Sequence, residues 1–131
     1  MKIFGCGIDI EEINRFKKHL QTHISLSPLI KDVFTNQEIK INLSFNKSIC
    51  FPLGFSCKEA VFKALGVSWT NSPILWKEIE LLFLKKDNLT QHNIRLSGYA
   101  KKLFLSQNCN KIDSSFEYNN DFVMFQVVLL K

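Results

Sequence analysis

The stretch Phe55-Ser56-Cys57-Lys58-Glu59-Ala60-Val61-Phe62-Lys63-Ala64-Leu65-Gly66 constrains the fold of this 131-residue chain more than any other. Phe55, Phe62 and Leu65, with Val61 and Ala64 beside them, recur at helical spacing and define a stripe to be buried. Gly66, just past the last periodic residue, can take the left-handed conformation that ends a helix. The same helix carries Lys58, Glu59 and Lys63, and the last two, four apart, share one face. An i,i+4 ion pair on a helix surface is worth only about 0.3–0.5 kcal/mol and is common. Spacing alone therefore leaves two readings open, a solvated pair and a functional one.

Around this helix the chain reads as alternating short elements. Lys2 to Ile10 has the period of a strand, with Phe4, Cys6, Ile8 and Ile10 on one face and Ile3, Gly5, Gly7 and Asp9 on the other. The glycines leave the backbone beside Asp9 open to close approach by a ligand. Asp9 can equally serve as the cap of the helix that follows. That helix is expected from Glu11 to about Gln21, with Ile13, Phe16 and Leu20 inward and Arg15, Lys18 and Thr22 along another face, near Lys17 and His19. Thr22 to Lys31 reads as irregular. Thr35 and Glu38 form a capping box, and helix is expected to continue from Ile39 to Phe51, so that Pro52 suits the first turn of the central helix.

After Gly66 a loop runs to Pro73, followed by a strand from Trp76 to Leu84 and a turn at Lys86-Asp87-Asn88. A second strand around Asn93 to Leu96 leads into a short helix over Ser97 to Phe104. The run from Phe122 to Leu130, β-branched and apolar, belongs at the centre of a sheet or in a subunit contact.

Composition sets the outer limits. A hydrophobic share of 46% with 12 phenylalanines describes a folded globular chain, and 131 residues make one domain spanning 1–131. The net charge of +5, from 17 Lys and Arg against 12 Asp and Glu, favours an acidic partner without naming it. Cys6, Cys50, Cys57 and Cys109 have no metal-binding spacing and read as reduced thiols. No window approaches the ~18 apolar residues of a membrane span, and the N-terminus has no secretory pattern. The expectation is a cytoplasmic protein with no membrane partner. The lysines are spread along the chain without a nucleic-acid motif, so nucleic acid is not expected either.

Two motifs carry a family resemblance. The first is the central helix itself, an aromatic, two residues, Lys-Glu-Ala, two residues, Lys-Ala-x-Gly. It resembles the signature helix of the phosphopantetheinyl transferases, their small holo-acyl-carrier-protein synthase branch in particular. The second, Gly7-Ile8-Asp9-Ile10-Glu11-Glu12-Ile13-Asn14-Arg15-Phe16, is similar to the Gly-Ile-Asp-Ile-x-Glu-Ile-x-Arg opening of those synthases, in the same order along the chain. Phe34-Thr35-Asn36-Gln37-Glu38 and Trp76-Lys77-Glu78-Ile79-Glu80 are similar to two further family segments.

The resemblance implies an α+β fold, a single compact domain in which an antiparallel sheet packs with a long signature helix, assembled as a homotrimer. It implies transfer of 4′-phosphopantetheine from coenzyme A to a serine of apo acyl carrier protein, dependent on Mg²⁺. Asp9 and Glu59 match the family's metal ligands and, with Lys63, its catalytic set. Lys58, Lys63 and Glu12 become coenzyme-binding candidates, and Arg15, Lys18 and Phe55 carrier-protein contacts. Lys58, beside a metal ligand, can as well be structural. The base for the serine proton stays open between Glu59 and a water acidified by the cation.

Departures from the pattern define an alternative. Ser115-Phe116-Glu117-Tyr118 stands where the family carries Ser-x-Ser-His. Val123, Met124 and Phe125 replace small residues, and Gly54 replaces a basic one. The alternative is a non-catalytic relative that binds coenzyme A or a carrier protein without turnover. His19, His23 and His92 have no partner at metal spacing and receive no catalytic role.

Overall fold

The structure is a computed structural model that describes residues 1–20 and 27–131. Thr22 and His23 lie outside the described residues. The elements follow in the order β1 (Ile3–Glu12), α1 (Asn14–Leu20), α2 (Pro28–Val33), α3 (Asn36–Ser44), α4 (Lys47–Leu65), a 3₁₀ turn (Trp76–Glu78), β2 (Ile79–Phe83), β3 (His92–Leu96), α5 (Gly98–Ser106), β4 (Lys111–Tyr118) and β5 (Phe122–Leu130). The α+β architecture expected from the resemblance is present. An antiparallel sheet of order β1-β5-β4 carries α4 across it, and β2 and β3 pair as a separate antiparallel hairpin.

The central helix is longer than its signature. It runs for 19 residues from Lys47, so Pro52 lies inside it and not in its first turn. The missing proline N–H leaves the Ser48 carbonyl without its helical partner. Ser48 is exposed, so water can satisfy that carbonyl. The expected continuous helix through Phe51 breaks at Phe45 and Asn46, which close α3 and open α4. Gly66 ends α4 at φ 77°, as its position suggested.

β1 reaches two residues further than its apolar period, and Glu11 and Glu12 belong to it; α1 begins only at Asn14. The glycine face of β1 is closed by the protein itself. A Cβ on Gly7 would stand 1.9 Å from the Ala60 carbonyl oxygen, and one on Gly5 would stand 2.1 Å from that of Ala64. Strand and helix meet backbone to backbone, so it is α4, not a ligand, that makes the close approach. The alternating apolar residues lie on the other face, where Ile8 is 50% and Ile10 59% exposed.

The main core fills the space between α4 and the sheets with Val61, Leu65, Ile79, Val123, Phe125 and Val127. A second cluster, Phe16, Leu20, Ile30, Val33, Phe34 and Phe51, fixes α1 and α2 against the first half of α4. The segment read as irregular holds α2, capped by Ser27 with Pro28 in its first turn. β5 occupies the centre of its sheet, as its β-branched composition favours.

Candidate active site

Asp9 is set by β1 and the site's other side chains by α4. The Ser56 hydroxyl donates to the Asp9 carbonyl at 2.8 Å, which fixes the strand against the helix. Two turns on, the Lys63 ammonium donates to the Ile8 carbonyl at 2.9 Å and pairs with Asp9 Oδ1 at 3.2 Å. The helical spacing of Glu59 and Lys63 thus places both beside Asp9. The Lys63 side chain is half-exposed, whereas Asp9 is 9% exposed and its Oδ2 has no hydrogen-bond partner. Burial raises the pKa of Glu59, the nearby Asp9 charge raises it further, and Lys63 pulls it back.

The alternation of β1 puts Glu11 on the same face as Asp9, 7% exposed. Its Oε2 accepts from Arg15 at 3.1 Å. Burial above all, then Asp9, push its pKa up to about 7. Glu11 was not among the sequence candidates, because the helix was drawn to start there. Extending the period of β1 by one step would have found it. Glu12, the expected coenzyme contact, points to the opposite, exposed side of the strand, away from Asp9.

Lys58 also departs from its expected role. It is 0% exposed, and its ammonium is held by Glu38 Oε1 at 2.8 Å, by the Trp76 carbonyl at 3.2 Å and by the Ile79 carbonyl. Glu38 in turn completes the capping box with Thr35 and accepts from the Leu81 N–H at 3.1 Å. No ligand reaches Lys58 here, and it ties α4 to α3 and β2 from inside.

Flanking Glu59 on α4, Phe55 and Phe62 pack against Trp76, with ring centroids at 5.3 and 5.2 Å, and Phe55 also meets Phe16 at 5.6 Å. Arg15, Lys18 and Phe55 line one depression of about 190 Å³ with Phe16, His19 and Leu29, so the three carrier-protein candidates share a surface. Tyr118 lies half-exposed at the end of β4, where the family has its histidine, and Met124 faces outward on β5. Val123 and Phe125 turn inward and fill the core. Gly54 is buried under the Phe34 ring, where an added Cβ would stand 2.8 Å from a ring carbon. His92, given no catalytic role, bonds Ser114 on β4 at 2.7 Å.

The donor set suits a hard divalent cation. Two carboxylates, one with a buried oxygen lacking any partner, match a Mg²⁺ that takes its remaining ligands from water and phosphate. Among the described residues no group of three or more His, Cys, Asp and Glu stands close enough to hold a metal. Among them, too, no helix is long and apolar enough to cross a membrane.

Comparison with known proteins gives the family. The family model described as the 4′-phosphopantetheinyl transferase superfamily matches residues 5–124. A holo-[acyl-carrier-protein] synthase of Geobacter metallireducens is 32% identical over 97% of this chain and 97% of its own. Among solved structures, the holo-ACP-synthase of Plasmodium yoelii is similar at TM-score 0.74, 26% identical, covering 98% of this chain and 94% of that one. A holo-(acyl-carrier-protein) synthase from Bacillus anthracis in complex with CoA (3′,5′-ADP) is similar at TM-score 0.69, 25% identical, covering 97% and 96%. With its glycine-backed strand acid, its helix carboxylate and its lysine one turn beyond, the chain belongs to the 4′-phosphopantetheinyl transferase superfamily, among the holo-[acyl-carrier-protein] synthases.

Proposed function

We propose that this protein transfers 4′-phosphopantetheine from coenzyme A to a serine hydroxyl of an apo acyl carrier protein, releasing adenosine 3′,5′-bisphosphate. The observation that carries the reading is the convergence of Asp9, Glu59 and Lys63 at the contact of β1 with α4, in a chain similar over its length to holo-[acyl-carrier-protein] synthases. The serine oxygen forms a bond to the β-phosphorus of coenzyme A, the pyrophosphate P–O bond breaks, and the bisphosphate leaves with the bond's electron pair. The serine proton must pass to a base.

In this reading Asp9 and Glu59 hold Mg²⁺, which when bound neutralises charge on the pyrophosphate and on the leaving group. Lys63 adds a point charge from the helix side, its ammonium already turned toward Asp9. The serine proton would pass to Glu59 or to a water acidified by the cation, the two bases that the residues present allow. Arg15 and Lys18 meet the acidic carrier protein through charge, and Phe55 meets it through its ring. Lys58 and Glu12 take no part, the first enclosed and the second on the far face of the strand.

The assembly proposed is a homotrimer built on the outer face of the β1-β5-β4 sheet, where Ile8, Ile10 and Phe122 are about half-exposed. Apolar surface of that kind on a small domain suits an interface between copies. The whole chain 1–131 is read as one such domain, working in the cytoplasm. The binding-only alternative, which rests on Tyr118 standing in place of the family's histidine, is not favoured, since both carboxylates and Lys63 are in place.

Intact-protein mass spectrometry of an apo acyl carrier protein incubated with coenzyme A, Mg²⁺ and this protein tests the reading. A phosphopantetheine mass gain that disappears with Glu59→Gln supports it. No gain with several carrier proteins, while coenzyme A still binds, overturns it in favour of the binding-only alternative.

A further inference from the structure

β3 and β4 each end a sheet, and their free edges face one another. Among the described residues β3 pairs only with β2 and β4 only with β5. At one end the two strands are clasped, where His92 bonds the Ser114 hydroxyl at 2.7 Å and lies 5.4 Å from the Phe116 ring, centroid to centroid. Toward Leu96 and Lys111 they part, and a cavity of about 420 Å³ opens between β3, the start of β4 and α5. The Leu84 N–H donates to the Gln91 carbonyl and the Ser97 N–H to the Glu78 carbonyl, both at 2.9 Å. The alternation of an antiparallel ladder then turns the main chain of His92, Ile94 and Leu96 away from β2 and toward the open edge. Among the described residues nothing bonds the outward N–H or carbonyl of Ile94, which is half-buried. We propose that the edge of β3 takes up an extended acidic segment of a partner protein as an added strand.

An unpaired edge is a template for another strand, since its donors alternate with acceptors as those of an extended main chain do. Charge selects which strand. Arg95, Lys101 and Lys111 line the cavity and no acid does. Glu80 holds Arg95 at 2.8 Å and Asp113 holds Lys111 at 3.6 Å, whereas Lys101, exposed on α5, has no ion-pair partner among the described residues. The same edge of a second copy would bring like charges against these and is disfavoured. In an acidic segment of alternating period, apolar side chains on one face meet Ile94, Leu96 and Phe104, and carboxylates on the other answer Lys101 and Lys111. None of Asp9, Glu59 and Lys63 lines the cavity, and β4 is the strand of its sheet furthest from β1. A segment docked here leaves the transfer site open, so this role stands whether or not the transfer reading does.

Fluorescence anisotropy with the full chain tests this, the probe being a fluorescein-labelled hexapeptide of alternating glutamate and valine. It should bind with an affinity that falls as salt is raised, and a lysine–valine hexapeptide should not bind. Lys101→Glu together with Lys111→Glu should weaken binding by roughly tenfold or more. N-methylation of the peptide separates strand addition from charge alone. In an added strand only alternate N–H groups face the edge, so methylation of one alternate set should abolish binding while methylation of the other leaves it nearly intact. Equal affinity of the two methylated peptides, or no binding of the glutamate–valine peptide, overturns the proposal.

Amide hydrogen exchange supplies a second readout. Saturating peptide should slow exchange of the Ile94 N–H by roughly tenfold or more and leave the amides of α1 unchanged. Binding without added protection at Ile94 also overturns the proposal. Circular dichroism melts establish that the doubly substituted chain is folded, and its affinity for Mn²⁺, standing in for Mg²⁺ at Asp9 and Glu59, should equal that of the wild type.

Discussion

Lys58 and Glu38 form a completely buried ion pair whose cost of desolvation is met by further hydrogen bonds to Trp76, Ile79, Leu81 and Thr35. Removing one partner of such a pair leaves a bare charge and typically costs about 3–5 kcal/mol. Lys58→Met is therefore expected to lower the urea midpoint steeply, whatever the divalent-cation concentration, and a cation-dependent defect in a protein of unchanged stability would refute the structural role. Glu11 answers to pH instead. Its pKa rises from 4.5 to about 7 on folding, so its contribution to stability is complete below 4.5 and is lost as pH climbs through 7. In chelator, the wild type should lose more melting temperature between pH 5 and pH 8 than Glu11→Gln does. Equal losses would mean that Glu11 is ionised throughout. The meeting of Lys63 with Asp9 was legible in the sequence because motif and helical spacing coincide there. The enclosure of Lys58 and the outward face of Glu12 were not, since they depend on partners remote along the chain, Glu38 and Ile79 for the first and the register of β1 with β5 for the second.

At the scale of elements, the junction of β1 with α4 decides the site. Gly7→Ala would drive a methyl group to 1.9 Å from the Ala60 carbonyl, and backbone on both sides leaves little room to yield. Overpacking of this kind costs about 1–3 kcal/mol, occasionally more. Because Asp9 is two residues on, the variant should lose both melting temperature and Mn²⁺ affinity; loss of stability alone would mean that Asp9 keeps its place when the strand shifts. The long central helix and the last strand were legible because their apolar residues repeat over many positions. β4 was not identified as a strand, since Asp113, Ser114, Ser115 and Glu117 dilute its alternation and it is held mainly by pairing with β5. The break between α3 and α4 escaped notice because Asn42, Ser44 and Asn46 weaken helix without choosing where it stops. The α+β class itself followed from motif resemblance, whereas the pairing of the strands depends on contacts remote along the chain.

For the whole molecule the unbalanced feature is the outer face of the β1-β5-β4 sheet, with Ile8, Ile10 and Phe122 open to solvent. If that face joins three copies, Ile10→Glu should shift sedimentation from three copies of the 15.2 kDa chain toward one. A wild-type protein that already sediments as a single chain would refute the assembly. On the other face of that sheet, β1 meets α4 at Gly5 and Gly7 backbone to backbone, against the carbonyls of Ala64 and Ala60. Most pairs of ligating residues are kept apart by side chains, whose size can be altered in either direction. Here Asp9 and Glu59 are carried by two surfaces already at contact distance. Substitution at Gly5 or Gly7 can only push them apart, so the span of the site has a floor set by atomic radii. For the proposed cation site, substitution at these two glycines can widen the span between the carboxylates and cannot narrow it.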